Sequence, residues 1–218
     1  MRRAPSSAAP FNPDAMQPAP IILALPGGAA RLEPLRADHA PDLFAASRPH
    51  IWRFMAVKAP TVEIDVLAWI ATALDNQRAG TDLPFAIIHV PSGRAVGSTR
   101  YLEIQPAHRS LEIGWTWITP DLQRTAINTE CKLLLLRHAF EDLGCVRVQL
   151  KCDARNTQSR AAIERLGAVK EGVLRHHRVM PDGFLRDTVC YSILAAEWPA
   201  VRAGLETRLS VRPERAGG

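Results

Sequence analysis

The chain has 218 residues, of which 47% are apolar and 22% charged, and its formal net charge of +5 rests largely on arginine. Those proportions are ordinary for a globular chain of one domain with tails, long enough to bury a sizeable core. The charge suits an anionic ligand, an acidic partner or nucleic acid, or else reflects arginine scattered over the surface, which is the preferred reading. Cys131, Cys145, Cys152 and Cys190 show neither Cys-x-x-Cys nor Cys/His ligand spacing, so reduced, buried thiols are expected. MRRAPSSAAPFNPDAM lacks an apolar run of signal-peptide length, and Ile21 to Leu25 is too short for a membrane span. A cytoplasmic chain with no membrane segment is expected.

Residues 1–20 are rich in Pro, Ala and Ser and read as a disordered tail, with Met16 a plausible alternative start. The domain is expected over 21–200 and a polar C-terminal tail over 201–218. Ile21–Leu25 and Ala30–Leu35 flank Pro26-Gly27-Gly28 as a first hairpin. Asp38 is expected to cap a helix running from Ala40 to about Phe54, with Pro41 in its first turn. Thr61 is expected to cap a second helix, where Val62, Val66, Leu67, Ile70 and Leu74 recur at helical spacing. Phe85–Val90 and Ala95–Glu103 form two antiparallel strands about Pro91-Ser92-Gly93. A last hairpin, Gly172–Met180 and Arg186–Leu194, turns at Pro181-Asp182-Gly183. The pattern is an α/β fold with helices on both faces of a mixed sheet.

The segment between them carries the function. LEIGWTWIT, beginning at Leu111, reads as a strand, and DLQRTAIN, from Asp121, as a polar loop. NTECKLLLLRHAFEDLG is an amphipathic helix ended by Gly144, VRVQLKCD a strand from Val146, and Asn156 to Leu166 a capped helix before Gly167. A strand that feeds through a polar loop into a helix leaves the first helical amides free. Free amides at the positive end of the helix dipole favour an anion such as a pyrophosphate.

The order and wording of this segment resemble the GNAT superfamily of acyl-CoA-dependent N-acetyltransferases, in its branch of ribosomal-protein alanine N-acetyltransferases. The likeness runs over roughly 30–199 and is most specific over 111–172. It implies a mostly antiparallel central sheet of six to seven strands, acetyl-CoA as co-substrate without a metal, and a primary amine as acceptor. The acceptor is then a protein N-terminus or a small molecule. Nucleic acid is not an expected partner, and a homodimer stays open because dimers are common in the family.

In that family the loop reads Gln/Arg-x-x-Gly-x-Gly/Ala and cradles the coenzyme pyrophosphate. Here Gln123, Arg124, Thr125, Ala126, Ile127 and Asn128 stand in it, with Thr129 following, so Ala126 and Asn128 occupy the glycine-favoured positions. Glycine would allow close approach and positive φ there, and of the two replacements Asn tolerates such φ better. By resemblance, main-chain groups near Trp115 to Ile118, Trp117 and Ile118 among them, hold the pantetheine arm. Glu112 is the general-base candidate, read equally well as a cross-strand charge partner. Asn156 and Ser159 match the family's Asn-x-x-Ser, Asn ordering the coenzyme and Ser placed as an acid. Helix capping alone would also explain Asn156. Arg124 is the leading phosphate contact, with Arg160 and Arg165 further phosphate contacts or simply solvated. Tyr191 reads as core. His176 and His177 point to opposite faces of a strand and do not form a metal site. Trp115 and Trp117 share a face as core or pocket wall, and Trp52 and Phe54 are expected on the acceptor side. Two rival readings are a nucleotide-binding α/β protein, which lacks its glycine motifs here, and a non-catalytic acyl-CoA or nucleic-acid module.

Overall fold

The computed structural model describes residues 16 and 18–211. Most of the expected tail at 1–20, and residues 212–218, lie outside the described residues. Eight strands form one sheet: β1 (Leu23–Ala24), β2 (Ala30–Pro34), β3 (Leu83–His89), β4 (Arg94–Gln105), β5 (Ser110–Ile118), β6 (Arg147–Asp153), β7 (Val169–Val179) and β8 (Leu185–Leu194). Their order is β1-β2-β3-β4-β5-β6-β8-β7, and every pair is antiparallel except β5–β6. The expectation of six to seven strands is therefore too low. β1 is a two-residue edge strand, too short to show a period of two on its own.

Helices cover both faces. Against one lie α1 (Ala40–Ala46) and α2 (Glu63–Arg78), with Leu43, Val66, Ile70, Trp52 and Trp117 in their core. Against the other lie α3 (Ile127–Arg137), α4 (Thr157–Leu166) and α5 (Trp198–Ser210), packed through Leu134, Ile163, Leu205, Phe85, Val148 and Tyr191. β3 is buried at every position but the last because both layers cover it, so it reads as a continuous apolar run. α5 buries Trp198, Val201 and Leu205 and runs to Ser210, into the stretch expected as a polar tail.

The helix expected from Ala40 to Phe54 breaks. Ser47 and Arg48 are extended, and a separate 3₁₀ segment covers Pro49–Phe54. A residue before proline is pushed out of the α region, and proline has no N–H to continue the ladder. Asp38 does not cap α1 but pairs with Arg36 at 3.1 Å, and His39 holds the cap position. Thr61 is likewise not the cap of α2. Its amide and hydroxyl donate to Asp65 Oδ2 at 2.8 and 2.9 Å, tying the loop to the first turn of a helix that starts at Glu63.

Two details of β4 and β5 shape what lies between them. Gly97 sits where a Cβ would come within 2.1 Å of the Trp117 carbonyl oxygen, so no side chain fits at this crossing. The register of the two strands slips between Ser98 and Arg100, and Trp115 opposite takes a left-handed φ of 51°. This is a bulge, and it costs on the order of 1–3 kcal/mol at a bulky residue. Packing on one side holds it, because the Arg100 guanidinium lies between the Trp115 and Trp69 rings, 4.8 and 5.3 Å from their centroids.

Candidate active site

β5 and β6 are paired over only three positions, Ser110↔Arg147, Leu111↔Val148 and Glu112↔Gln149. Beyond them β5 follows β4 through its bulge and β6 follows β8, so the two diverge with no further pairing to each other. The result is a cleft of about 1150 Å³ that opens at the point of divergence. Trp115, Trp117, Ile118 and Lys132 line it beside Gln123 to Ala126, Asn128 and Thr129. Asn156, Ser159 and Arg165 close the α4 side, while Phe54, Glu112, Arg178 and Arg186 reach it from the other sheet face.

At one end stands the α3 N-terminus. The Glu130 amide, bonded to the Ala126 carbonyl at 2.9 Å, is the first donor of the helical ladder, so the amides of Asn128 and Thr129 project forward without a backbone acceptor. Thr125 braces this turn: its hydroxyl donates to the Leu122 carbonyl at 2.6 Å and accepts from the Ile127 amide at 3.4 Å. The first-turn acid, Glu130, is turned away and accepts the Ala30 amide at 2.8 Å, which keeps its charge off the cleft.

Ala126 is in the right-handed helical region and Asn128 is already helical, so neither glycine-favoured position needs positive φ. The left-handed residue is Arg124, with φ of 61°. Substitution of the glycines is therefore tolerated by the backbone. Gln123 spans the loop, donating to the Ile118 carbonyl at 3.1 Å and accepting from Gln158 of α4 at 3.1 Å. It fastens the end of β5 to the start of α4 across the cleft mouth.

Asn156 caps α4, its side-chain oxygen accepting the Ser159 amide at 3.0 Å. We expect Asn156→Ala to lower stability by about 1 kcal/mol through loss of this cap, read by thermal or urea unfolding. A cost near zero would mean that the bond is not formed in solution. Ser159 is half-buried and lies against Cys152, whose thiol burial pushes up and the serine hydroxyl pulls back. Two candidates do not reach the cleft. Ile127 is 2% exposed and packs in the core, and Arg160 turns toward Tyr191. Tyr191 is fully buried and donates to Glu164 at 2.8 Å, which fits the core reading. Trp52 does not line the cleft either. Its ring packs on Trp69 and Trp117 at 5.8 and 5.6 Å, while Phe54 reaches the wall.

Glu112 sits where the strands part, 6% exposed. Its Oε2 is 2.9 Å from Lys151 Nζ, close enough for an ion pair but without the angle of a hydrogen bond, and Lys151 also donates to Glu103 at 2.9 and 3.0 Å. Burial raises the Glu112 pKa, and Lys151 opposes this only in part. A carboxylate so placed is both accessible from the cleft and easier to protonate than a surface one. Lys132 was missed by sequence reasoning because it interrupts an apolar run on an amphipathic helix, where lysine reads as solvent-facing. It is in fact 6% exposed, and its Nζ donates to Thr116 Oγ1 at 2.8 Å beneath the bulge.

His177 faces Thr188 at 3.1 Å, and His176 donates its amide to Asp187 at 2.8 Å. Among the described residues no group of three or more His, Cys, Asp or Glu is placed to hold a metal ion. No helix there is long and apolar enough to cross a membrane.

Comparison with known proteins agrees with this geometry. A family profile described as an acetyltransferase (GNAT) domain matches residues 30–169. A Bacillus subtilis (strain 168) protein provisionally named ribosomal N-acetyltransferase YdaF is 33% identical over 106 residues, which are 49% of this chain and 57% of YdaF. The chain thus matches little more than half the length of that curated relative. The crystal structure of a GCN5-related N-acetyltransferase from Brucella melitensis superposes with a TM-score of 0.83 at 32% identity, covering 93% of this chain and 90% of that one. Mycobacterium smegmatis RimJ, solved with CoA-disulfide, has the same fold at a TM-score of 0.74 and 24% identity, over 87% and 95% of the two chains.

Proposed function

Because the chain belongs to the acetyltransferase (GNAT) family, we propose that it moves an acetyl group from acetyl-CoA directly to a primary amine, on a protein N-terminus or a small molecule. The single observation that carries this reading is the divergence of β5 from β6 beside a helix N-terminus with free amides. One strand edge is left unpaired, and an anion site lies at its end. Those are the two features that an extended arm with a pyrophosphate requires. RimJ, of the same fold, holds CoA-disulfide.

In this reading the amides of Asn128 and Thr129 and the Arg124 side chain hold the pyrophosphate, while the β5 backbone from Trp115 to Ile118 pairs with the arm. Acetyl-CoA, when bound, supplies the activated acyl group. The bulge interrupts the regular pairing of β5 with β4 at Trp115, and an N–H of this stretch would serve as the donor to the thioester carbonyl oxygen. Glu112 takes the proton of the incoming ammonium, directly or through water. Ser159, on the first turn of α4, is the candidate to return a proton to the departing sulfur.

The reading makes a direct prediction for the loop. Arg124→Ala removes a charge-assisted contact worth about 1.5–3 kcal/mol, so coenzyme A affinity should fall by about 10- to 100-fold in isothermal titration. Unchanged affinity would reject Arg124 as a phosphate ligand. Binding of acetyl-CoA with NAD silent supports the enzyme, and thiol release with an amine panel tests turnover. Binding without turnover across that panel favours a non-catalytic acyl-CoA module.

A further inference from the structure

The sheet face opposite α3, α4 and α5 is covered by α1 and α2 only over its first half. Over β6 to β8 no helix packs closely on it, and there the strands present a set of charges. The carboxylates are already engaged: Glu112 and Glu103 with Lys151, and Asp153 with Arg155 at 2.7 Å. Two cations of the cleft wall are not. Arg178 and Arg186 are direct partners in the antiparallel register of β7 and β8, with Cβ atoms about 5 Å apart. Neither guanidinium makes a hydrogen bond or ion pair to another described residue. Arg186 is half-buried, and its Nε is fully buried with no acceptor. Burial acts on it most, and the ionisable groups that act on it are Asp153, Arg178, Cys152 and Glu112.

Like charges set directly across a sheet repel, and a buried guanidinium N–H without an acceptor is costly. A chain that keeps both has left a place for an anion that arrives with a ligand. The pair lines the same cleft as Glu112, the base proposed for the acceptor amine.

We propose that Arg178 and Arg186 form an anion-binding subsite for the acceptor, which therefore carries a carboxylate or a phosphate within a few bonds of its amine. This rests on the acetyl-transfer reading of the cleft. A guanidinium fork matches the two oxygens of either group, and the Glu112 carboxylate then lies at the amine end. Neutral amines such as simple alkylamines would leave the two arginines unanswered.

The test uses equilibrium binding and needs no turnover. Two matched probe pairs, C-terminally amidated alanyl-aspartate against C-terminally amidated alanyl-asparagine and phosphoethanolamine against ethanolamine, are titrated into the full chain, with acetyl-CoA titrated separately. At least one anionic member should bind tenfold or more tightly than its neutral twin, and which pair discriminates tells carboxylate from phosphate. The preference should vanish in the Arg178→Gln/Arg186→Gln double variant while acetyl-CoA affinity is kept. Arg178 is exposed, so Arg178→Gln alone reads the same difference if the double variant does not fold. Equal binding within both pairs, no binding of either, or a preference that survives the variants would overturn the subsite. Loss of the subsite with acetyl-CoA still bound leaves the enzyme reading standing, whereas absent acetyl-CoA binding removes the coenzyme reading on its own.

Discussion

Glu112→Gln is expected to lower turnover by about 10²- to 10⁴-fold with acetyl-CoA affinity unchanged, the range for removing a positioned general base. Gln keeps the size and polarity of the side chain, so the cleft wall is preserved and only proton acceptance is lost. The wild-type rate should fall on the acid side as Glu112 is protonated. That limb should lie above the ordinary carboxylate range, because burial raises the pKa more than Lys151 lowers it. The variant should lose the limb, and the pH profile separates this from a merely structural role. A residual rate within twofold of wild type would make Glu112 a charge partner for Lys151 and leave proximity as the source of catalysis.

Lys132→Met should stabilise the folded chain by about 3 kcal/mol at pH 7, raising its Tm by about 6–12 °C. The ammonium is buried beneath the bulge with one hydroxyl as partner and no carboxylate acting on it, and burial lowers its pKa to about 8 from 10.5. The folded state therefore gives up the proton before the unfolded chain does. Between those two values the unfolded chain binds more protons, so wild-type stability should rise with pH through that window. Below about 8 the wild type carries the whole cost, and above 10.5 almost none. The gain from Met should accordingly be full at pH 7 and nearly gone by pH 11. A gain that persists at pH 11 would be one of packing rather than charge, and no gain at pH 7 would mean that the ammonium is solvated.

Local pattern made much of this fold legible. The alternation of VRVQLKCD, the positive φ of Gly167 at the end of α4 and the Pro181-Asp182-Gly183 turn are all properties of neighbouring residues, and the structure contains each. What was not legible depends on partners far along the chain. The slip opposite Trp115 follows from the register of β4, and no property of Trp115 announces it. The left-handed residue of the loop is Arg124, although side-chain preference pointed to Asn128. Arg178 and Arg186 are eight positions apart and become a pair only through the β7–β8 register. Lys132 defied its helical context because Thr116, a sheet residue, supplied its acceptor. The break after Ala46 is itself a local property, of Arg48-Pro49, although the helix expected from Asp38 and Pro41 runs through it.

The short β5–β6 seam also gives the domain a mechanical character. The sheet is two ribbons, β1 to β5 and β6 to β8, laced to each other at three rungs. The chain passes between the ribbons once, through α3, and that helix packs against β1 and β2 on one side and α5 on the other. α3 therefore braces the two ribbons across the seam, and its seating sets the width of the gap between them. Cys131 and Leu134, buried in that brace and absent from the cleft lining, bear on its width through packing alone.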